Sequence, residues 1–131
     1  MSEILVNKLT GTSTAGSILV TGEGNSTTTN LQQGLAKAWG HFDGSAGSVS
    51  YGDSFGLSGL IDESSGRYTS TFTNAMANAF YSINCTGSTN RRGQVDTGSI
   101  ATGSFTAEFT DNSDSFADPS YALLTIHGDL A

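Results

Sequence analysis

Arg67-Tyr-Thr-Ser-Thr-Phe-Thr73 places Tyr68 and Phe72 on one side of an extended chain and Thr69, Thr71 and Thr73 on the other. A period of two, with β-branched and aromatic residues throughout, belongs to a strand with one apolar and one wet face. Near the C-terminus, Tyr121-Ala-Leu-Leu-Thr-Ile-His127 alternates in the same way, Tyr121, Leu123 and Thr125 against Ala122, Leu124 and Ile126. Between and before these runs the apolar stretches are short. Gly, Asn, Asp or Ser interrupts them at intervals typical of a sandwich or barrel. Candidate strands are residues 38–42, 54–60, 67–73, 79–84, 98–110 and 120–127. The expected fold is all-β, an antiparallel, jelly-roll-like β-sandwich. Tyr68-Thr-Ser-Thr-Phe-Thr-Asn74 is echoed by Phe105-Thr-Ala-Glu-Phe-Thr-Asp111, which two similar strands explain without any duplication.

Upstream the pattern changes. Glu3-Ile-Leu-Val-Asn-Lys-Leu9 and Ser17-Ile-Leu-Val-Thr21 are two apolar, β-prone runs around a turn-rich connector, and they predict an extended N-terminal arm over residues 1–28. A loop follows. Thr29-Asn-Leu-Gln32 has the spacing of a capping box, and Leu31 and Leu35 share a face, so a helix of about two turns is expected near residues 30–37. Residues 29–131 then form the sandwich domain.

The chain has 131 residues, enough for one domain. Gly, Ser and Thr make up 53 of them, whereas Leu, Ile, Val and Phe make up 27, so the apolar core is lean. Small domains hide a small fraction of their surface, and the expected remedy is association with further copies. Twelve acidic residues against five basic ones give a net charge of −7, the wrong sign for displacing counterions from nucleic acid or binding an anionic membrane. No apolar run is long enough to span a bilayer, and the first residues lack the layout of a secretory signal. The single cysteine, Cys85, permits no intrachain disulfide and is expected to be a small, half-buried side chain. Without a secretory context, Asn25-Ser-Thr27 and Asn84-Cys-Thr86 read as chance matches to glycosylation acceptors.

Gly52-Asp-Ser-Phe-Gly56 fits the Gly-x-Ser-x-Gly nucleophile elbow, which needs a helix leaving the turn so that backbone N–H groups surround the Ser hydroxyl. Here Leu57-Ser-Gly-Leu-Ile-Asp-Glu-Ser-Ser-Gly66 follows, too rich in helix breakers to supply one. An esterase using Ser54, with His127 and Asp129 downstream, is therefore a remote alternative, and no catalytic residue is assigned. Asp111, Asp114 and Asp118 carry oxygen ligands suited to Ca²⁺, but the Gly and closing Glu of a helix-loop-helix site are missing, which favours a solvated acidic loop. No metal or cofactor is expected. Arg91-Arg92 reads as a solvated turn in preference to a site for an acidic partner. Trp39, Phe42, Tyr51, Phe55, Tyr68, Phe72, Phe80 and Tyr81 form an aromatic set that the lean core mostly needs; one or two exposed members would suffice to bind carbohydrate weakly.

Thr29-Asn-Leu-Gln-Gln-Gly-Leu-Ala-Lys-Ala-Trp39, Phe42-Asp-Gly44, Asp53-Ser-Phe55, Ser58-Gly-Leu-Ile-Asp62, Gly66-Arg-Tyr-Thr69, Phe72-Thr-Asn-Ala-Met-Ala-Asn78, Tyr81 and His127-Gly-Asp-Leu-Ala131, with the opening Met1 to Leu9, resemble the short tail-fibre-like structural proteins of tailed bacteriophages of aquatic bacteria. The likeness runs along the whole chain and rests on packing and turn patterns. Gly40-His41, Gly56 and Gly59 depart from it. It implies a non-enzymatic virion component made in the host cytoplasm, a β domain commonly assembled as a homotrimer, decorating the capsid or tipping a tail appendage. The arm, through Ile4, Leu5, Val6, Ile18, Leu19 and Val20, is the expected assembly interface with neighbouring copies or other virion proteins. A receptor- or carbohydrate-binding module directed at a host surface glycan is the alternative.

Overall fold

The computed structural model describes residues 4–11, 18–21 and 27–131. Its contacts divide the chain into two units, residues 1–35 and 36–131. The division falls later than residue 28 because Thr28-Thr-Asn30 pairs with the arm.

In the first unit, β1 (Leu19–Thr21) and β2 (Thr28–Asn30) form a two-stranded antiparallel sheet. β2 runs directly into α1 (Leu31–Gly34), a single turn. Thr29 is occupied in the ladder opposite Val20, so the cap expected of it passes to its neighbour. Asn30 Oδ1 accepts the N–H groups of Gln32 at 2.8 Å and Gln33 at 3.2 Å, as a good N-cap side chain does. The turn ends at Leu35, where the backbone returns to extended geometry (φ −93°, ψ 142°). Glycine in a helix one turn long leaves nothing to propagate it, which accounts for the shortfall against the expected span. Of the two apolar runs, Leu19–Thr21 is a strand and residues 4–9 are not.

The second unit is a β-sandwich of two four-stranded antiparallel sheets. One has the order β4-β3-β10-β7, from β3 (Ala38–Phe42), β4 (Tyr51–Phe55), β7 (Ser82–Thr86) and β10 (Ala122–His127). The other has the order β5-β6-β9-β8, from β5 (Leu57–Ser64), β6 (Arg67–Phe72), β8 (Arg92–Val95) and β9 (Ser104–Thr110). The first and last strands of the sandwich pair along five residues, and the chain changes sheets after β4, β6, β7 and β9. The expected strand over 54–60 is two strands. Gly56 turns the chain between them at φ +71°, where only glycine fits, since a Cβ would lie 2.4 Å from the Lys37 carbonyl. β8 was missed for the opposite reason: Arg-Gly-Gln-Val carries too little apolar pattern to read as a strand.

Both quoted alternations hold. Tyr68, Ser70 and Phe72 face inward from β6, and Ala122, Leu124 and Ile126 from β10. Rings fill much of the space that aliphatic side chains fill elsewhere. Phe42, Tyr68 and Phe109 meet at centroid distances of 4.9, 6.0 and 6.1 Å, and Phe72 lies against Tyr81 at 5.4 Å and Phe105 at 5.6 Å. These are the tilted and edge-on arrangements that ring quadrupoles favour. Small residues make room: a Cβ on Gly44 would lie 2.4 Å from the Tyr68 hydroxyl.

Gly66 joins β5 to β6 at φ +71°, with space for a Cβ closed by the Phe109 carbonyl at 2.4 Å and the Ala117 nitrogen at 2.6 Å. Both obstacles are backbone. Gly66→Ala should therefore destabilise by at least about 2 kcal/mol in urea unfolding, while Gly47→Ala, with nothing near its Cβ, should stay within about 0.5 kcal/mol of the parent.

Candidate functional site

The two sheets present different outer faces. On β5-β6-β9-β8 the polar groups satisfy one another. Thr69 and Thr106 share a hydroxyl hydrogen bond at 2.8 Å, Arg67 pairs with Asp96 at 2.9 Å and Glu108 at 3.4 Å, and Gln94 donates to Glu108 at 3.0 Å. The Arg67 guanidinium also lies 5.6 Å from the centre of the Phe116 ring. Thr106 and Glu108 are buried amid these contacts, and Thr110, farther along β9, is buried as well.

On β4-β3-β10-β7 the outer face is partly aromatic and open. Strand register aligns Phe55, Trp39, Thr125 and Asn84 in one row, and Asp53, His41, Leu123 and Thr86 in the next. Tyr121, just before β10, stacks on His41 with centroids 4.2 Å apart. Trp39 is 39% exposed, Phe55 57%, Tyr121 50% and Leu123 40%. With neighbouring strands about 4.8 Å apart, each row spans about 14 Å; the first is apolar towards β4 and hydrogen-bonding towards β7, whereas the second begins with the Asp53 carboxylate on β4 and carries its apolar member, Leu123, on β10. Two carboxylates flank His41: Asp53 across the ladder and Asp43 two residues on. Asp43 Oδ1 accepts both the Ser45 hydroxyl at 2.6 Å and its N–H at 2.9 Å. Those bonds hold its carboxyl below the usual range.

Of the aromatic set read from the sequence, Phe42, Tyr68, Phe72 and Tyr81 are core. Tyr51 is half-buried, its hydroxyl 2.8 Å from Ser70 Oγ, and burial pushes its pKa up to about 12. Trp39 and Phe55 reach the open face, and Phe80 is exposed outside the strands. His41, Tyr121 and Leu123 were not in that set. The alternation in β10 had already separated Tyr121 and Leu123 from Ala122 and Leu124; which side was inward, and that His41 lay opposite, depended on register.

The remaining candidates resolve individually. Ser54 lies in edge strand β4 opposite Gly40, and the chain turns at Gly56 into β5 with no helix. His127 points outward from β10 in the row of Ser82, with β3 intervening between β10 and β4, so the esterase pair is not brought together. Cys85 faces inward, opposite Leu124, and burial pushes its thiol up to about 12, away from nucleophilic use. In the acidic loop, Asp111 Oδ1 accepts the Ser113 and Ser115 N–H groups at 2.7 and 3.1 Å, which hold its carboxyl low. Asp114 pairs with Arg92, and Arg91 Nε donates to the Asp118 carbonyl at 3.0 Å. Arg92 thus has its acidic partner in this chain's own loop, and Arg91 holds the backbone of the same loop. Among the described residues no three His, Cys, Asp or Glu side chains gather as metal ligands. Of the arm residues, Ile4, Leu5, Val6, Leu19 and Val20 are exposed and Ile18 is half-buried.

No family model matches the chain, and neither a curated protein nor a solved structure matches it.

Asp118 fastens the loop to the core. Its Oδ1 accepts the Gly66 N–H at 2.6 Å and the Tyr68 hydroxyl at 2.8 Å. Burial works against its ionisation, but these bonds, Ser65 and the Arg91 charge outweigh it and leave the carboxyl below its ordinary value. A depressed folded-state pKa contributes stability that is complete above the unfolded value of about 3.9 and is lost as pH falls through the lower folded value. Asp118→Asn should lower the melting temperature at pH 7 and reduce the further loss between pH 5 and 2, as read by circular dichroism melts across that range.

Proposed function

We propose that this chain is a non-enzymatic structural protein of a tailed-bacteriophage virion, a homotrimer that decorates the capsid or tips a tail appendage and attaches through its N-terminal arm. The supporting observation is the state of that arm. β1 and β2 make a sheet of only two strands, and such a pair is marginal in water without a third strand or a packed face. Its Leu19 and Val20, and upstream Ile4, Leu5 and Val6, are exposed. An apolar, extended segment with open backbone donors and acceptors is suited to strand addition by another chain. The resemblance of the whole sequence to tail-fibre-like virion proteins supplies the setting. Repeated copies then hold the particle firmly through contacts that are weak singly, because each bound copy raises the effective concentration of the next.

Native mass spectrometry of the full chain is expected to show a trimer at micromolar concentration. Replacing Leu5, Val6, Leu19 and Val20 together by Asp should give a folded monomer. A monomeric parent chain, or a trimer unaffected by the four substitutions, refutes attachment through the arm.

A further inference from the structure

We propose that the outer face of the β4-β3-β10-β7 sheet is a binding platform for a neutral saccharide. Trp39 and Phe55 are direct cross-strand neighbours and both exposed, so two aromatic side chains project from adjacent strands about 4.8 Å apart, a spacing close to the width of one pyranose. The apolar C–H face of a sugar ring stacks on such a surface, while its equatorial hydroxyls need hydrogen-bonding groups around the edge. This face supplies them in register. Thr125 and Asn84 continue the Trp39 row, and Asp53 and His41 begin the next. Asp53 Oδ1 accepts the Ser54 N–H at 2.8 Å, which orients the carboxylate and leaves its second oxygen as an acceptor.

Area argues against a second copy of the chain as the occupant. Aromatic side chains carry about 150–250 Å² each, so the exposed parts of Trp39, Phe55, Tyr121 and Leu123 amount to roughly 300–400 Å² of apolar surface. A standard protein interface covers about 800 Å² per partner, of which a little over half, roughly 450 Å², is apolar; this patch falls below that, and patches of its size on single domains are often functional. Charge selects within the saccharides. Asp43 and Asp53 flank the aromatic end, and the chain carries a net charge of −7, so uronates and sialylated sugars are repelled. The proposal does not depend on the trimer or the virion setting.

Trp39 is the chain's one tryptophan, so intrinsic fluorescence reads this face alone. Titration of the full-length protein with cellobiose, lactose and maltose should shift its emission with at least one of them, with a dissociation constant on the order of 1 mM. A digalacturonate should bind at least about tenfold more weakly, as like charges on the face and ligand require. By saturation-transfer NMR, Trp39→Ala and Phe55→Ala should each weaken binding by about tenfold, Trp39→Phe should restore part of it, and Phe80→Ala, at an exposed position outside the strands, should change nothing. Unaltered melting temperatures establish that the variants fold. Absence of binding by all three neutral sugars overturns the proposal, as does equal binding of the digalacturonate. Undiminished binding by both alanine variants also overturns it. Native mass spectrometry separates the remaining occupant: a change in oligomeric state on Phe55→Ala assigns the face to contact between copies and rejects the saccharide.

Discussion

Tyr68 joins what the lean composition would otherwise leave loosely assembled. Its ring is fully buried between Phe42 of one sheet and Phe109 of its own, so one side chain carries packing across the sandwich. Its hydroxyl reaches the far end of that packing, where it meets Asp118 and the Gly44 carbonyl at 3.1 Å. A buried phenol without such partners would be a liability; with them it ties the turn after β3, the β5–β6 hairpin and the loop before β10 to one point. Burial foremost, and then the neighbouring carboxylate, keep the hydroxyl protonated and donating.

Rings of this size allow a domain to close with few aliphatic residues, since each buries as much area as two small side chains. They also demand clearance, which Gly44 provides beside Tyr68 and Gly40 beside Tyr51 and Leu57. The glycine-rich composition is therefore part of the packing solution. Sheet β5-β6-β9-β8 covers most of its outer face with hydroxyl and ion-pair contacts among its own side chains, with Ile61 left exposed beside Thr69. Sheet β4-β3-β10-β7 does not.

What could be read without coordinates follows the same physics. Alternation in 67–72 and 122–127 decided fold class and which residues share a face, because a period of two survives any choice of partner strand. β3 was legible to the residue, bounded by Lys37 and Asp43. The β4–β5 break at Gly56 was not, since the need for glycine there comes from a positive φ and from the Lys37 carbonyl packed against it, a tertiary contact. The cap moved from Thr29 to Asn30 for a like reason: pairing of Thr29 with Val20 overrode a local signal. The sequence offered the aromatic residues of the open face as a pool. Only cross-strand register could sort Trp39 and Phe55 from Phe42 and Tyr68, and bring His41 to Tyr121.

An outer face that retains Trp39, Phe55 and Tyr121 in a chain short of apolar material calls for a physical account. Transferring those rings inward would have relieved the scarcity, and each exposed ring forgoes roughly 2–3 kcal/mol of burial at about 25 cal/mol per Å². The alternation that sets the fold is enforced by the inward residues and does not itself require rings at these outward positions. Their neighbours across the ladder are hydroxyls, an amide and a carboxylate, whereas the opposite sheet uses similar groups to close its own surface. Rings carried on adjacent strands of a sheet and bordered by polar groups lose little conformational freedom when a ligand settles on them. That preorganisation is what weak, repeated recognition requires, and here it comes from the strand register alone.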